Sequence, residues 1–584
     1  MRSLPVLLLL AVSFAPLRAQ DAGTCPHGRI SHIFIDNHSI FDTTDPDLDP
    51  RFAWAYGVAN SLHIQTRERV IARELLLEVG DCFDPDLAEE SERLLRGFGA
   101  LARVDIFPVA QPDGTVHMVV DTQDEWSTRV DIRARVADGS MRLSGLRVEE
   151  SNLLGTGQTI GFFYRDEEFV TERGINYGTQ QLAGTRWDLS ADLGRTRAGT
   201  RVGYVVAYPF VGEVGRWGAA QGFRREDRYF RFIADDSTGV LTAIRDQVLD
   251  LAVLTRLGPQ GNLTLIGAAL SFHELDYPGG ERGLLVSRAG LRQDTTASED
   301  WLLGEVRPQL RRVNSIRGSL LLGQRNIWWA RRRGFDSMRG VQDIRLGAEA
   351  QLAVGRSITA LEEDDDVATT FTLYTGIEHG HGLSVFRGRM DARRSFDAPA
   401  ASSEWEDVVA EAEVLTYLRS SDTSRHTLVL RAAGAGGWHT RTPFQLTLGG
   451  ESAVRGHDRE RFPGGRRLVL SAEDRLYLGW PYPDVLDLGL TAFVDAGRMW
   501  AGDVPFGSDS GWRGSAGLGL RGAFPAGGRS TYRLDVAFPL DGGGGYQIIF
   551  SVRELLGVTT HFGDPQVERS RLNGISGDVF SFPR

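Results

Sequence analysis

The residues that could form a covalent or metal-bound site are few. The chain has two cysteines, Cys25 and Cys82, and twelve histidines that are scattered along it. In an exported chain a cysteine pair predicts a structural disulfide, and two unpaired structural thiols are the alternative. Two cysteines do not complete a tetrahedral zinc shell, so we predict no metal site. The sequence has no Gly-x-Ser-x-Gly nucleophile elbow, and we expect neither an enzyme nor a cofactor.

Charged residues form the second set of candidates. One segment alternates in character, and its apolar members are Leu488, Leu490, Ala492 and Val494. If these face lipid, Phe493 and Asp495 face the interior, because successive side chains of a strand point to opposite sides. A loop that carries Arg455 can then reach Asp495 only by folding inward. The alternative is two solvated charges, whose pairing contributes about 0 to 1 kcal/mol.

The first residues predict the compartment. Residues 1–20 combine Arg2, an apolar run from Val6 to Val12 and the small residue Ala19, the pattern of a cleaved signal peptide. The rest of the chain has no apolar stretch of about eighteen residues, which excludes a helical membrane protein. With 69 glycines and 41% hydrophobic residues, a β-barrel fits better than a soluble exported protein with a large dry core. The net charge of -12 argues against a nucleic-acid partner.

Residues 21–126 predict a small periplasmic α+β domain. A strand around Ile33 precedes one helix from an N-cap at Thr66 to Gly80 and a second helix capped by Asp84. A β-hairpin then turns at residues 112–114. Residues 42–65 form an insertion, which we interpret as a packed loop, with a docking site as the alternative.

Residues 127–557 predict a transmembrane β-barrel. Short alternating segments are separated by glycine, proline and acidic turns. At roughly 27 residues for each strand with its loop, the segment predicts sixteen antiparallel strands. Asp474 falls on the lipid-facing side of this alternation, so we expect it near a membrane interface or a bulge. Residues 558–584 remain as a C-terminal tail.

Several motifs resemble those of a known family. The segment "LLLEVGDCFDPDLAEESERLLRGFG", residues 75–99, resembles the helix-loop-helix of a POTRA domain, and we count one such domain. Further segments are "GLRVEESNLLGTGQTIGFFYR" with Asn152, Gly155 and Gly157, "LGGESAVRGHDRERFPGGRRLVLSAEDRLYL" with Val454, Arg455 and Gly456, and "LTAFVDAGRMW" with Phe493, Asp495 and Gly497. Together they resemble the BamA/TamA family of outer-membrane assembly and translocation barrels, also called the bacterial surface antigen family. His457 departs from the family pattern, in which an aromatic Phe or Tyr follows Val-Arg-Gly.

The resemblance implies a set of roles. The loop with Val454, Arg455 and Gly456 would lock onto the wall at Phe493, Asp495 and Gly497, with Glu473 and Arg475 facing the lumen beside them, and Asn152, Gly155 and Gly157 would form the early-barrel motif. The chain would be an assembly and insertion factor that captures clients in the periplasm and inserts them at the barrel seam. Implied partners are outer-membrane lipid, client outer-membrane or secreted polypeptides and periplasmic assembly proteins. The alternative is a secretion pore for one dedicated polypeptide; an enzyme barrel or a passive porin fits less well.

Overall fold

A computed structural model describes residues 25–571 apart from short gaps. The gaps are residues 44–47, 138–139, 168–169, 236–237, 279–283, 288–292, 298–299, 362–363, 397–404, 451–452, 458–460, 483–484, 529–530, 542–544, 553–556 and 558–561. The expected signal peptide and the last part of the tail, residues 572–584, lie outside the described residues. Among the residues that are described, no helix is long and apolar enough to cross a membrane.

The N-terminal domain combines three strands with three helices. Its elements are β1 (Arg29–His38), α1 (Ala53–Leu62), α2 (Glu68–Glu74), α3 (Pro85–Gly97), β2 (Leu101–Ala110) and β3 (Thr115–Asp124). In the sheet, β3 lies in the centre, parallel to β1 and antiparallel to β2. The helix α3 begins as expected. The side chain of Asp84 accepts hydrogen bonds from the backbone N–H groups of Asp86 and Leu87, and Pro85 occupies the first helical position.

The core of this domain lies between its helices and its sheet. Its buried members include Ile30, Ile71, Leu95, Met118 and Val120. Cys25 and Cys82 are joined by a disulfide with a Cα–Cα distance of 5.2 Å. The bond ties the segment before β1 to the segment before α3.

Two local expectations for this domain are wrong. The helix expected from Thr66 to Gly80 covers only Glu68–Glu74, and its N-cap is Arg67. The chain leaves the helix because three consecutive leucines, Leu75 to Leu77, are all buried: Leu75 and Leu77 in the domain core and Leu76 against the barrel. One face of a helix cannot bury three consecutive residues. The insertion is not a loop throughout, because it contains a 3-10 turn at Pro50–Phe52 and the helix α1.

The remaining elements build the barrel and its contents. The first strands are β4 (Thr128–Ala137), β5 (Ser140–Glu150), β6 (Gln158–Glu167), β7 (Val170–Thr179), β8 (Asp188–Thr196), β9 (Thr200–Tyr208), β10 (Trp217–Ile233), β11 (Thr238–Leu257) and β12 (Leu263–Asp276). An excursion follows with β13 (Leu284–Ser287), β14 (Gln293–Ala297) and α4 (Asp300–Val306). The wall continues with β15 (Val313–Arg333), β16 (Val341–Ser357), β17 (Asp366–His379), β18 (Gly382–Ser395), β19 (Glu406–Leu418) and β20 (His426–Trp438). After β21 (Leu446–Thr447) and β22 (Pro463–Gly464) come β23 (Arg466–Tyr482), β24 (Leu486–Trp500), β25 (Gly511–Ala523), β26 (Tyr532–Pro539), β27 (Gln547–Ser551) and the helix α5 (Pro565–Ser570).

Over the residues that the structure describes, the wall is a closed antiparallel barrel of 20 strands, so the expected sixteen is wrong. The error arose from the assumed length of strand plus loop. Several connections are very short, such as residues 197–199 between β8 and β9. The hairpin of β13 and β14 stands outside the main wall, because β12 also pairs directly with β15.

The wall separates two chemical faces. Along β24 the side chains of Leu490 and Val494 are exposed on the outside, whereas Thr491, Phe493 and Asp495 are buried inside. We call the end that contacts the N-terminal domain the near end, and the opposite end the far end. Asp474 lies on the outer side of β23, and its carboxylate is 3.1 Å from Nδ1 of His426, the first residue of β20 at the near end. Asp474 stands in the middle of β23, opposite Leu428 of β20 and Ala492 of β24, so its expected position near a membrane interface or a bulge stays a prediction.

Candidate functional site

One long connection enters the lumen. Residues 439–465, which we call the inward loop, join β20 to β23 at the far end and form the small sheet of β21 and β22. The apolar side chains of Phe444, Leu446 and Val454 are buried against Val469 and Met499 of the wall. The loop is thus fixed to the inner surface of the barrel by packing.

Arg455 is the centre of this attachment. Its side chain is 2% exposed, and it contacts two neighbouring strands. Nε and Nη2 donate to the carboxylate of Asp495 at 2.7 and 2.8 Å, and Nη1 donates to Glu473 at 2.9 Å. The backbone N–H of Arg455 also donates to Asp495, at 3.3 Å. Such a planar fork on paired carboxylates is the arrangement for which arginine is suited and lysine is not.

Three further residues, from the Val-Arg-Gly motif of the loop and the Phe-x-Asp-x-Gly motif of β24, explain why the inward loop lies so close to the wall. The guanidinium carbon of Arg455 lies 3.5 Å from the ring centroid of Phe493, which covers the ion pair. Gly456 has φ +86°, in the left-handed region that favours glycine. At Gly497 a Cβ atom would stand 2.7 Å from side-chain carbons of both Leu448 and Val454. A side chain at this position would push the inward loop off the wall.

The charge cluster is larger than the sequence motifs indicate. Asp535 of β26 lies 3.5 Å from Nη1 of Arg455, accepts from Arg521 at 2.7 Å and also pairs with Arg533. Arg475 donates to Glu473 at 2.8 Å. The signal for Asp535 was in the alternation, because the apolar residues on either side of it face outward. The cluster thus extends from β23 to β26.

A second site holds the N-terminal domain against the near end. Asn152 follows β5; its amide group donates to Thr66 Oγ1 at 2.9 Å, and its side-chain oxygen accepts from the N–H of Gly157 at 2.9 Å. The carbonyl of Gly155 accepts from the N–H of Arg67 at 2.9 Å. The early-barrel motif is therefore a docking motif, and the structure places it at the near end, separate from the Arg455 cluster.

The next near-end turn repeats this geometry. Leu154 and Ala183 occupy equivalent positions with φ of 54° and 51°, each followed by a glycine with positive φ. In the second turn Gln181 donates to the carbonyl of Val70 at 2.9 Å and to Glu74 at 2.7 Å. Sequence reasoning missed this repeat, although the Gly-Thr pair of the first turn recurs in it. Both turns hold the helix α2.

A third turn, residues 209–216, holds α3. The N–H of Glu213 donates to Glu90 of α3 at 2.5 Å, and the Glu213 carboxylate accepts from Arg325 of β15. Burial alone would raise the pKa of Glu213, but the hydrogen bonds and charge of Arg325 lower the pKa below its ordinary value. Near this turn Arg96 of α3 pairs with Asp343 of β16 at 2.9 Å. Three successive turns and the start of β16 thus fix the domain in one orientation.

The chain returns into the lumen after its last strand. We call the described residues 557 and 562–571 the lumenal tail. At Gly557 the carbonyl accepts from Arg387 at 3.1 Å, and in α5 the side-chain amide of Gln566 makes hydrogen bonds of 2.9 and 2.6 Å with Thr447 of the inward loop. Val567 is completely buried in the same apolar cluster as Val454.

Ion pairs hold the tail to the wall. Arg467 of β23 pairs with Asp564, and Arg571 pairs with both Asp391 and Glu411. Sequence reasoning left this segment without a role, because it has no strand alternation. Among the described residues, no group of three or more histidine, cysteine or acidic side chains could hold a metal ion.

We predict that Arg455 and Asp495 act as one unit. Arg455→Ala and Asp495→Ala should each lower the free energy of barrel unfolding by roughly 3 to 5 kcal/mol, because either change leaves a buried charge unpaired. The double mutant should lose clearly less than the sum, as measured in a thermal or denaturant unfolding cycle.

Arg498→Ala is the matched control for this cycle. Arg498 lies on β24, the strand that also carries Asp495, and pairs with Asp509 at the exposed far end. Its removal should therefore leave the free energy of unfolding unchanged. Additive effects of the Arg455 and Asp495 substitutions, each as small as that of the control, would show that the two residues are not coupled.

We also predict that Gly155→Ala and Gly157→Ala release the N-terminal domain from the barrel. A Cβ atom would stand 2.3 Å from the Gln65 carbonyl at Gly155 and 2.2 Å from the Phe98 ring at Gly157. Spin labels at Asp113→Cys, in the N-terminal domain, and Gln260→Cys, in the barrel, should show one sharp distance in the parent protein and a broad distance distribution in both variants.

Gly511→Ala is the control for these variants. Gly511 also has positive φ, but a Cβ atom added there would have no neighbour within 4 Å. An unchanged distribution in the two variants would contradict the docking role.

No protein-family model matches the chain, and no curated protein matches it. Solved structures similar to it include BamA from Haemophilus ducreyi lacking POTRA domains 1–3, at 12% identity over 89% of this chain and 84% of that chain, with a TM-score of 0.37. CdiB from Escherichia coli is 13% identical over 90% of this chain and 76% of that chain, with a TM-score of 0.42. CdiB from Acinetobacter baumannii is 13% identical over 90% and 74% of the two chains, with a TM-score of 0.38. All three TM-scores are below 0.5.

Proposed function

We propose that this chain is a Gram-negative outer-membrane protein that inserts client polypeptides into the membrane, without catalysing a reaction. The N-terminal domain lies in the periplasm in this proposal, so the near end is periplasmic and the far end extracellular. The partners are outer-membrane lipid, client polypeptides and periplasmic assembly proteins.

The N-terminal domain fits the capture role. The domain has one three-stranded sheet in the order β1, β3, β2, and the helices α2 and α3 pack on it. This arrangement supports the assignment as a POTRA-like domain. Its docking by Asn152, Gln181 and Glu213 places it directly below the barrel. A client held by this domain would lie next to the membrane-facing strands.

The observation that carries the proposal is the seam between the last and the first strand. β27 has five residues and β4 has ten. The described register between them consists of Ile548 with Val136, Ile549 with Arg135 and Phe550 with Ala134. By contrast, β10 and β11 pair continuously from Trp217 to Ile233. Within the described residues, which exclude 553–556 directly after β27, every other pair of neighbouring wall strands is joined over a greater length.

Because β27 and β4 pair over a short length, the seam can accept another strand. Backbone N–H and C=O groups without partners are costly in lipid, so a strand edge there favours pairing with another strand. A client strand that adds to β4 would satisfy these groups by β-augmentation. Beside the seam, the Arg455 cluster holds β23 to β26 in place, so opening would be confined to β27 and β4.

We predict that covalent closure of the seam stops client insertion. The pair Arg135→Cys and Ile549→Cys lies in register across the seam, and its oxidation should abolish insertion of a client barrel into vesicles, with recovery upon reduction. The control is Ala492→Cys with Leu518→Cys, which joins β24 to β25 in the same way. Full insertion through the oxidised seam would contradict the proposal.

The alternative function, a pore that passes a polypeptide through the lumen, fits the structure less well. The inward loop and the lumenal tail occupy the lumen together and are joined by Gln566 and Val567. Both are also held to the wall by buried ion pairs at Arg455 and Arg467. A polypeptide could pass only after these contacts had been broken.

We predict that the lumenal tail seals the barrel. Deletion of residues 558–584 removes α5 and its contacts with Thr447 and Arg467, so it should raise single-channel conductance in planar bilayers while client insertion through the seam continues. Deletion of residues 572–584 alone keeps the described contacts and serves as the control. Loss of insertion without any conductance in the longer deletion would show that the tail is part of the insertion path instead.

A further inference from the structure

The insertion between β1 and α2 carries a helix whose two sides differ. On one side of α1, Tyr56 and Ala59 are buried with Ile40 and Phe41. The side chain of Asn60 makes two hydrogen bonds with the backbone of Phe41, at 3.1 and 2.8 Å. The helix is therefore fixed to the domain in a defined orientation.

The other side of α1 is apolar and exposed. Trp54, Val58 and Leu62 follow one another at four-residue spacing and are 72%, 51% and 70% exposed, so they form one stripe along the helix. Ile64 continues the stripe with 53% exposure. Exposed aromatic and aliphatic side chains in a row, on a helix whose other side carries the buried Tyr56 and Ala59, indicate a surface that a partner or a lipid layer covers.

The stripe lies at the near end beside the seam. Leu62 and Ile64 line one cleft together with Trp126, Thr128 and Leu154, and Thr128 is the first residue of β4. Leu154 is 58% exposed in the turn between β5 and β6.

The apolar surface continues from the stripe onto the wall. Val130 of β4, Val148 of β5 and Ile160 of β6 point outward near the same end and are 41%, 38% and 44% exposed. On the other side of the seam Phe524, in the turn after β25, contacts Trp126 with a centroid distance of 6.3 Å. The stripe is thus continuous with the surface that faces lipid if the barrel spans a membrane.

The charge pattern distinguishes between possible occupants. The helix itself, "AWAYGVANSL", contains no charged residue. Arg51, in the 3-10 turn directly before α1, is paired with Asp49 through Nε at 3.0 Å. A polybasic surface for anionic headgroups is therefore missing from this helix, and an uncharged helix with tryptophan at its exposed start suits the boundary between headgroups and acyl chains.

We propose that α1 is an interfacial helix, whose stripe of Trp54, Val58 and Leu62 inserts into the periplasmic surface of a zwitterionic lipid leaflet directly beside the seam. This inference rests on the membrane location of the barrel proposed above. The anchored helix holds the N-terminal domain at the membrane under β4, so a captured client is delivered at the depth where the strand edge begins.

Single nitroxide labels test this placement. The two cysteines of the chain form a disulfide, so one added cysteine can be labelled alone in the full-length protein. We would label Val58→Cys or Leu62→Cys in vesicles of phosphatidylcholine and phosphatidylethanolamine and measure collision with oxygen and with a water-soluble nickel chelate. Collision with nickel should be at least about fivefold lower at both positions than at Asp113→Cys, on an exposed turn of the domain.

One further label and two variants separate the outcomes. Leu518→Cys, on the outer face of β25 and 66% exposed, reports whether the barrel itself is in lipid; failure there overturns the membrane location, whereas failure only at residues 58 and 62 overturns this inference alone. Trp54→Glu combined with Leu62→Glu should return the label at residue 58 to water without changing the label at residue 518. Phe107→Glu, which changes an exposed apolar residue of β2, should change neither.

Other occupants of the stripe would give different results. Protection that depends on protein concentration would indicate a second copy of the chain, and protection that requires an added client would indicate a client-binding surface. Either result, or nickel accessibility equal to that at residue 113, overturns the assignment to lipid.

Discussion

The burial of the Arg455 charge constrains the inward loop and the four wall strands from β23 to β26. Arg455 is almost inaccessible to water, and a buried guanidinium is tolerated only when its donors all meet acceptors. Asp495 and Glu473 supply these acceptors from adjacent strands, and Asp535 adds a third carboxylate from β26. The inward loop must therefore lie in the lumen, and β23 to β26 must keep their register. Four strands next to the seam consequently form one rigid block.

Outside this block, the N-terminal domain and the lumenal tail are both fixed to the barrel, whereas the wall is weakly joined along the seam. Near-end turns hold the N-terminal domain through Asn152, Gln181 and Glu213. The lumenal tail packs on the inward loop, with Val567 in the same apolar cluster. By contrast with these fixed parts, β27 and β4 pair over a short length. In the proposed function, the fixed parts confine movement to the seam, where a new strand can pair.

Alternation and local motifs predicted part of this arrangement. The inward orientation of Asp495 follows from its apolar neighbours, and the start of α3 follows from Asp84 and Pro85, because both signals lie within a few residues. The strand count does not follow, since ten-residue strands are weak signals and connections here range from two residues, between β17 and β18, to the long inward loop. The end of α2 depends on Leu76, which packs on Val211 of a distant turn. The tail lacks any period, because its structure depends on a lumen that the rest of the chain must first build.

The most direct test of insertion at the seam is to locate a client strand during insertion. A photo-reactive amino acid would be placed at Val136 or Ile548, which pair across the seam, and at Ser319, which lies on the buried inner side of β15. With a client arrested during assembly, cross-links should form at the two seam positions and be absent at Ser319. Cross-links at Ser319 without any at the seam would contradict insertion at the seam and favour passage through the lumen.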